Sequence, residues 1–416
     1  MALAAGPIHA KYAEKFRCIG PACEDTCCVG WGVNIDRATF QKYQAMTASP
    51  LRPLLVERIL PNPQSRSDKD FARINLDPDG RCPFFNSERL CSIQVEHGAD
   101  ALSSTCTDYP RTTRIIDGLR ETSLQLSCPA AARIVLLDRR FLRIKDGALS
   151  QPARYRRFAA TALPAATGNP FQYLWAIRRL TFLLLQDRSY PLWERLFVLG
   201  MLCKRLDSGG TGPRAVAELL RSYAEIMAQG KLRGAVEQIP PRPEAQAALT
   251  IDMLVNMARS QPLPKRFLEC LEDCLAGLGH REGIPIGSAI AGYAEAYRRH
   301  YAPFFAKREY MLENYLLSYV VRKRFPYGEE TQSEVDAGGP LIEFTLMALR
   351  FALIKGVLIG MAARYREDFR EDHVVKLVQS FAKGVEHRFA ARAEMVKRIR
   401  AEDLDRSEAI AMMLRN

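Results

Sequence analysis

The sequence predicts a mainly α protein: an irregular, cysteine-rich metal- or cluster-binding N-terminal domain over residues 1–130, followed by a multi-helix domain over residues 131–416. Two observations predict this division. The first part holds eight of the 11 cysteines and is rich in glycine and proline, without a long amphipathic pattern. In the second part apolar residues recur three and four positions apart, which is the spacing of one helix face.

Long helices are expected in the second part at YLWAIRRLTFLLLQ, WERLFVLGMLCKRL and EYMLENYLLSYVVRKRF. Loops are expected where glycine and proline interrupt the pattern, as in DSGGTGPRA, QIPPRPEAQ, SQPLPKR and DAGGPLIE. Near the C-terminus, EDHVVKLVQSFAKGVEHRFAARAEMVKRIRAE is expected to form one or two amphipathic helices with a solvated charged face.

The most apolar segment runs from Leu341 to Tyr365 and is long enough to cross a bilayer. Glu343, Arg350 and Lys355 interrupt it, and each would be costly at the centre of a membrane. The segment is therefore predicted to be a helix buried inside the protein, and no membrane insertion is expected.

The chain is basic, with 59 Lys and Arg against 47 Asp and Glu and a formal charge of +12. Such a charge favours encounter with an acidic partner. No aromatic-basic motif of a nucleic-acid module accompanies it, so nucleic acid is not an expected partner. The first sixteen residues lack a basic segment followed by an apolar run, so no cleaved secretory signal and a cytoplasmic location are expected.

The eight clustered cysteines form two sets in the sequence. Stable disulfides are disfavoured in a reducing cytoplasm, so the density of thiols indicates a metal or cluster site. Neither set has the spacing of a familiar zinc finger. Cys203, Cys270 and Cys274 lie among leucines at helical spacing and are expected to be core residues. The predicted metal ligands are Cys18, Cys23, Cys27 and Cys28 in the first set, and Cys82, Cys91, Cys106 and Cys128 in the second.

Spacing alone does not separate zinc from iron, because thiolates suit both. The three-cysteine pattern common in radical enzymes is absent, since CEDTCC supplies its first gap and then closes too early. A catalytic thiol is disfavoured because no cysteine–histidine pairing is evident, and His97 is expected at the surface or beside the ligands.

Several motifs together resemble the flagellin lysine-N-methylase family. They are CIGPACEDTCCVGWGVNID (18–36), GRCPFF (80–85), LCSIQ (90–94), LSSTCTDYPR (102–111) and LSCPAAAR (126–133), with a further match at ENYLLSYVVRKRFPYG (313–328). The cysteine portion is also similar to a wider family of zinc- or iron-chelating domains with clustered cysteines.

This resemblance implies transfer of methyl groups from S-adenosylmethionine to lysine side chains of flagellin, the expected partner. It also implies an iron–sulfur cluster in the cysteine domain, of the four-iron type, with zinc as the alternative. The sequence has no glycine-rich turn between a strand and a helix with a carboxylate about twenty residues on. An ordinary Rossmann methyltransferase is therefore not expected, and no motif places the methyl-donor pocket.

Within the matched segments we predict catalytic roles for Tyr109, Glu313 and Tyr315. Either tyrosine would orient the substrate amine, and Glu313 would hold a ribose hydroxyl or assist deprotonation. Each residue also has a structural interpretation. A Tyr-Pro turn beside a metal ligand commonly shapes the loop, and Tyr315 lies in a leucine-rich segment where core packing is the default.

Cofactor-binding roles are predicted for Trp31, Asp108 and Asn314. Trp31 would face a sulfonium by cation–π attraction, although a tryptophan here would also close a small core beside the cluster. Within CEDTCC, Glu24 and Asp25 would attract a lysine ammonium, with a turn-forming role as the simpler interpretation for Asp25.

Two other functions stay open from the residues alone. One is a non-enzymatic zinc-binding adaptor whose basic helical surface recruits an acidic protein. The other is a cluster-dependent redox or radical enzyme, in which a thiolate-bound cluster exchanges electrons.

Overall fold

The structure is a computed structural model. It describes residues 11–65, 67–116, 118–142, 150–160, 173–208, 213–231, 236–260, 262–280, 287–328, 338–387 and 389–416. The expected loops DSGGTGPRA and DAGGPLIE lie partly outside these residues.

The N-terminal part contains short helices and a small antiparallel sheet. Its strands are β1 (Asn34–Ile35), β2 (Ile59–Pro61) and β3 (Ala72–Ile74), with β3 in the middle. The register pairs Asn34 with Arg73 and Ile59 with Ile74. The α-helices of this part are Arg37–Ala45, Arg52–Arg58, Ser92–His97 and Ser104–Asp108, and short 3-10 helices cover Lys11–Lys15, Gly20–Ala22, Asp68–Asp70 and Ala99–Ala101.

A hairpin connects this part to the helical body. Its strands, β4 (Arg111–Ile116) and β5 (Leu119–Leu124), pair in antiparallel register. On β5, Glu121 accepts a hydrogen bond from Arg178 at 3.0 Å, and both side chains are buried. The hairpin is thereby fixed to helix Leu174–Leu185.

The rest of the described chain is almost entirely helical, which confirms the mainly α prediction. The helices are Pro129–Leu136, Gln151–Ala159, Leu174–Leu185, Leu192–Ser208, Pro213–Gln229, Pro243–Ser260, Lys265–Gly277, Gly287–Ala296, Ala302–Phe305, Tyr310–Arg322, Pro340–Tyr365, Glu371–Phe381, Phe389–Ala401 and Ser407–Leu414. Two π-helical turns, Tyr297–Tyr301 and Ala382–Glu386, and the 3-10 turn Arg366–Asp368 lie between them. The expected C-terminal amphipathic segment forms two helices with a π-helical turn between them.

Helix Pro340–Tyr365 runs through the middle of the helical body. Among the described residues, one helical stretch, Pro340–Asp368, is long and apolar enough to cross a membrane, and 94% of its most apolar window is buried inside the protein. Gly360 lies against the backbone of Cys274, where a larger residue would clash. The predicted buried helix is therefore confirmed.

Two main hydrophobic cores organise the described residues, beside a third cluster formed by Ile116, Leu174 and Trp175. A small core lies around the three-stranded sheet and includes Ile35, Tyr43 and Phe84. The large core of the helical body takes in Phe16 and residues from Leu124 onward, together with the predicted core cysteines Cys203, Cys270 and Cys274. Because Phe16 already packs with the helices, a division of the chain at residue 130 stays a prediction.

Candidate functional site

All eight clustered cysteines line one cavity of about 580 Å³, which we call the thiol cavity. It lies between the two cores, since Cys82 belongs to the small core and Cys128 to the large one. The fold thus brings together side chains that are up to 110 residues apart in the chain, from Cys18 to Cys128. The lining cysteines are Cys18, Cys23, Cys27, Cys28, Cys82, Cys91, Cys106 and Cys128.

Short backbone contacts place these thiols. The amide of Cys82 donates to the carbonyl of Cys28 at 2.8 Å, and Cys91 forms a β-bridge with Phe85. Cys91 and Cys128 each precede the first residue of a helix. The amide of Gly30 donates to the carbonyl of Gly80, with N and O 2.9 Å apart. The φ angles of Gly30 and Gly80 are 88° and 78°. Such left-handed angles favour glycine, and the contact holds the loop that carries Cys28 against the loop that carries Cys82.

The thiols fall into two electrostatic neighbourhoods inside the cavity. Burial raises the pKa of Cys82 to about 12 and that of Cys106 to about 11, and the nearby charge of Cys28 adds to both shifts. Burial likewise raises the pKa of Cys128 to about 11, with smaller contributions from its own neighbours. The first neighbourhood contains Cys28, Cys82, Cys91 and Cys106, the second contains Cys18, Cys23 and Cys128, and Cys27 interacts with members of both.

Cys27 and Cys28 behave differently from each other. A hydrogen bond from the Cys27 thiol lowers the pKa of Cys28 to about 6, while the same contact raises the pKa of Cys27. The amide of Cys28 is held by the Thr26 hydroxyl at 3.1 Å. Within this pair, Cys28 is therefore the thiol that more readily loses its proton.

The sulfur atoms that line the thiol cavity are not arranged as the ligands of one metal ion would be. Within the described ranges, no three His, Cys, Asp or Glu side chains are grouped so that they could hold one metal ion. A tetrahedral zinc with Zn–S bonds of about 2.3 Å needs sulfur atoms about 3.8 Å apart. The eight thiols are instead spread around a cavity of about 580 Å³.

A second cavity of about 570 Å³, the polar cavity, adjoins the thiol cavity and shares Cys27, Trp31 and Tyr109 with it. Its wall comes from both ends of the chain, because Lys383 and His387 of the C-terminal region face residues of the cysteine loops. The predicted site residues Trp31, Asp108 and Tyr109 are brought together here. The titratable residues of the wall are Asp25, Cys27, Lys69, Asp108, Tyr109, Arg111, Lys383 and His387.

Trp31 and Tyr109 form an aromatic corner of the polar cavity. Their ring centroids are 5.2 Å apart with an interplanar angle of 42°. The indole N–H of Trp31 donates to the carbonyl of Cys27, which fixes the ring beside the thiols. Two such rings at one corner present negative π faces to a cation.

Asp25 anchors the cysteine loop to the C-terminal region. Its carboxylate accepts hydrogen bonds from Lys383 at 2.6 Å and from the Gln379 amide at 2.7 Å. Glu24 is bound by Arg133 at 2.6 Å, and although burial opposes it, this contact helps to lower the pKa of Glu24. Both carboxylates thus have protein partners.

A hydrogen-bonded chain leads from the aromatic corner to the protein surface. The Tyr109 hydroxyl lies 2.9 Å from the Ser127 hydroxyl, which lies 2.6 Å from Nε2 of His387. His387 is exposed, whereas burial raises the pKa of Tyr109 well above its ordinary value. Sequence reasoning missed Ser127 and His387, which are 260 residues apart. No local pattern joins them, although His387 lies in the predicted C-terminal amphipathic segment.

Glu313, Asn314 and Tyr315 lie elsewhere, in helix Tyr310–Arg322, and none of the three lines the thiol cavity or the polar cavity. The buried Glu313 carboxylate accepts from Arg188 at 2.9 Å and from Arg195 at 2.8 Å.

The other two residues of this segment are also occupied by buried partners. Asn314 donates to the carbonyls of Val135 and Asp138, both at 2.9 Å, at the end of helix Pro129–Leu136. The Tyr315 hydroxyl donates to Glu386 at 2.7 Å. The structure therefore brings Trp31, Asp108 and Tyr109 together and keeps these three apart from them.

Comparison with known proteins gives consistent matches. A family model described as the FliB lysine N-methylase C-terminal domain matches residues 178–413. The chain is 24% identical over 398 residues to the lysine-N-methylase of Salmonella typhimurium, with 90% of each chain aligned, and equally similar to that of Salmonella choleraesuis. It is 34% identical over 128 residues to the flagellar biosynthetic protein FliU of Salmonella muenchen, which covers 30% of this chain and 75% of that protein. No solved structure matches.

The family model covers more than half of the chain, and the two methylases align with nearly its whole length. The resemblance seen in the sequence motifs is thereby confirmed. The chain therefore belongs to the FliB lysine N-methylase family and is a protein-lysine methyltransferase.

Proposed function

We propose that this protein transfers methyl groups from S-adenosylmethionine to lysine side chains of flagellin in the cytoplasm, and that the transfer takes place in the polar cavity. The observation that carries the proposal is the aromatic corner of Trp31 and Tyr109 inside a cavity of about 570 Å³. This volume lies within the range of small-molecule sites. The flagellin substrate is supported by the motif resemblance and by the flagellar name of the relative FliU.

The aromatic corner suits both cations of the reaction. S-adenosylmethionine carries its methyl group on a positively charged sulfonium, and the lysine arrives as an ammonium. Either charge is stabilised over an aromatic face by about 0.5–2 kcal/mol. Asp108, at the same wall, is suited to accept hydrogen bonds from a ribose hydroxyl.

The lysine must lose a proton before it reacts. With an ordinary pKa near 10.4, deprotonation at pH 7 costs about 4.6 kcal/mol. Lys69, Arg111 and Lys383 line the cavity, and Lys383 already neutralises Asp25. Because these three cations outnumber the two carboxylates of the wall, Asp25 and Asp108, the net positive charge disfavours the ammonium form and so lowers the pKa of a bound substrate lysine. The amine nitrogen then bonds to the methyl carbon as the carbon–sulfur bond breaks and its electron pair stays on sulfur.

We propose that the thiol cavity holds an iron–sulfur cluster, as the motif resemblance implies. Eight thiols line this cavity, and a cluster binds its cysteines through several irons rather than one. When bound, the cluster would supply a rigid link between the small core and the large core. The chain's own part is to hold the eight thiols around the cavity.

The function is tested by incubating the anaerobically purified protein with methyl-labelled S-adenosylmethionine and flagellin. We expect label on flagellin lysines, mapped by mass spectrometry, and no label when those lysines have first been acetylated. A protein that binds metal but neither binds the methyl donor nor labels flagellin contradicts the proposal. Metal analysis of the same sample is expected to find iron and a brown colour, whereas a colourless protein with stoichiometric zinc contradicts the cluster.

A further inference from the structure

We propose that Tyr109, Ser127 and His387 form a proton path that carries the substrate lysine's proton out of the polar cavity to solvent. The inference rests on the proposed function. It assigns a task to Ser127, which stands beside Cys128 in the motif LSCPAAAR, and to His387, and the sequence motifs assign a role to neither. In this scheme Tyr109 touches the substrate amine, and Ser127 and His387 act through it as positioning and proton-accepting residues.

The distances along the path are those of proton transfer. Tyr109 Oη and Ser127 Oγ are 2.9 Å apart, and Ser127 Oγ and His387 Nε2 are 2.6 Å apart. Both lie within the range of about 2.6–3.2 Å over which general acids and bases act. Tyr109 and His387 also line the polar cavity and its rim, so the chain starts inside and ends at an exposed side chain.

The proton moves without leaving a charge on the hydroxyls. The lysine ammonium gives one proton to Tyr109 Oη, whose own proton passes to Ser127 Oγ, and the serine proton passes to Nε2 of neutral His387. The nitrogen lone pair of the lysine is freed, and an imidazolium is left at the surface, where water takes the proton. Tyr109 is suited to relay rather than to keep the charge, because burial disfavours its phenolate.

The surroundings hold the path in place from two sides. The amide of Gln379 donates to the Ser127 carbonyl at 2.8 Å and to Asp25 at 2.7 Å. The π-helical turn Ala382–Glu386 then brings His387 back over Ser127. Such turns inside helices are frequent at functional sites.

The charged groups of the described residues around His387 lie on its own turn and across the polar cavity. On its own turn, Lys383 is paired with Asp25, and Glu386 is paired with Arg322 at 2.6 Å. Across the cavity the remaining titratable groups are Cys27, Lys69, Asp108, Tyr109 and Arg111. A histidine is the ordinary side chain that exchanges protons between pH 5 and 8, so His387 is the terminus suited to neutral pH.

The test compares pH–rate profiles of flagellin methylation by the full-length wild type and by His387→Gln. We expect the variant to lose about 10²-fold in kcat near pH 7 and to lose the limb of the profile that reports the histidine. Its rate should instead rise with pH as the free substrate amine becomes more abundant. Added imidazole should restore part of the rate of His387→Ala, because the site is exposed.

His97 gives a matched control. Its Nε2 lies 2.7 Å from the Ser49 hydroxyl, the same contact as in the path, but His97 lines neither cavity. His97→Gln should keep the wild-type profile. The double variant Ser127→Ala/His387→Gln should be about as slow as the slower single variant, because the path is broken only once.

The results of these experiments distinguish a failure of the proton path from a failure of the proposed function. Wild type that fails to label flagellin overturns the proposed function. Active wild type together with an unchanged His387→Gln profile, or no rescue of His387→Ala by imidazole, overturns the proton path alone. Because His387 is at the surface, its variants test the path even where Ser127→Ala fails to fold.

Discussion

The aromatic corner of Trp31 and Tyr109 and the segment Glu313–Tyr315 make an instructive pair of regions. Both lie in stretches that resemble the methylase family, and both offer aromatic and polar side chains suited to methyl transfer. Trp31 and Tyr109 line a cavity, with one hydroxyl joined to a chain that reaches solvent. Glu313 and Tyr315 are enclosed in the helical body, with 3% and 0% of their surfaces exposed.

A side chain suited to chemistry therefore indicates a site only where a ligand can reach it and where its polar atoms are not already bound by other residues. The Glu313 carboxylate is already bound by two arginines, and Tyr315 is bound by Glu386. These contacts explain the burial of Glu313 and Tyr315 without a catalytic role, because a buried charge without a partner would destabilise the folded protein. The side chains that line the polar cavity, in contrast, border open space.

We expect the greatest loss of iron and activity when a cysteine of the thiol cavity is replaced, and little loss when a cysteine of the helical core is replaced. Cys82→Ala removes a thiol from the thiol cavity, and we expect it to lose bound iron and methylation activity almost completely. Cys270→Ala makes the same change at a thiol buried in the helical core and should keep both. Iron analysis and flagellin labelling of the two variants check this. Equal iron content in both would mean that the cavity thiols do not act as ligands.

The next effect concerns stability rather than activity. Glu313→Gln removes the buried charge that Arg188 and Arg195 share and leaves Arg195 with Glu309 as its remaining carboxylate, so we expect the free energy of unfolding to fall by about 2–3 kcal/mol. Glu295→Gln, at an exposed pair with Arg298, should change it by less than about 0.5 kcal/mol. Denaturant unfolding measures both. A stable Glu313→Gln protein that has lost activity would instead favour a catalytic role for this carboxylate.

The sequence predicts the helical body well for a physical reason. Apolar spacing near 3.6 residues persists over long segments, and the charges in Leu341–Tyr365 argue against a membrane, so both the helices and the buried helix could be foreseen. The small sheets could not, because strands such as Asn34–Ile35 are too short to show an alternating pattern.

The candidate site was foreseen only in part. Cysteine spacing indicates that the thiols converge, since a short loop can turn several nearby thiols toward one centre. Ser127 and His387 meet only through the tertiary fold, 260 residues apart, so no local signal joins them. For Glu313 and Tyr315 the sequence suggested a site that the fold does not form, because a motif match does not tell whether a side chain will be buried.

A buried lysine shows that a perturbed pKa also arises far from any site. Burial lowers the pKa of Lys355 to about 7, and its ammonium donates to the Leu414 carbonyl at 2.9 Å. Between pH 7 and about 10 the unfolded chain holds this proton and the folded protein does not, so stability from this group rises with pH.

Lys355→Met should remove that dependence. We expect the free energy of unfolding of the wild type, relative to the variant, to rise by about 1–3 kcal/mol from pH 7 to pH 9. Taking the difference between the two proteins cancels the titration of the cysteines. A difference that stays flat over this range would show that Lys355 keeps its proton in the folded state.

The most direct test of the account is calorimetric binding of S-adenosylmethionine to the wild type, to Trp31→Ala and to Tyr315→Phe. If the donor binds at the aromatic corner, Trp31→Ala should weaken binding about three- to tenfold through the lost cation–π contact, while Tyr315→Phe binds as the wild type does. Weaker binding in Tyr315→Phe with unchanged binding in Trp31→Ala would contradict the account.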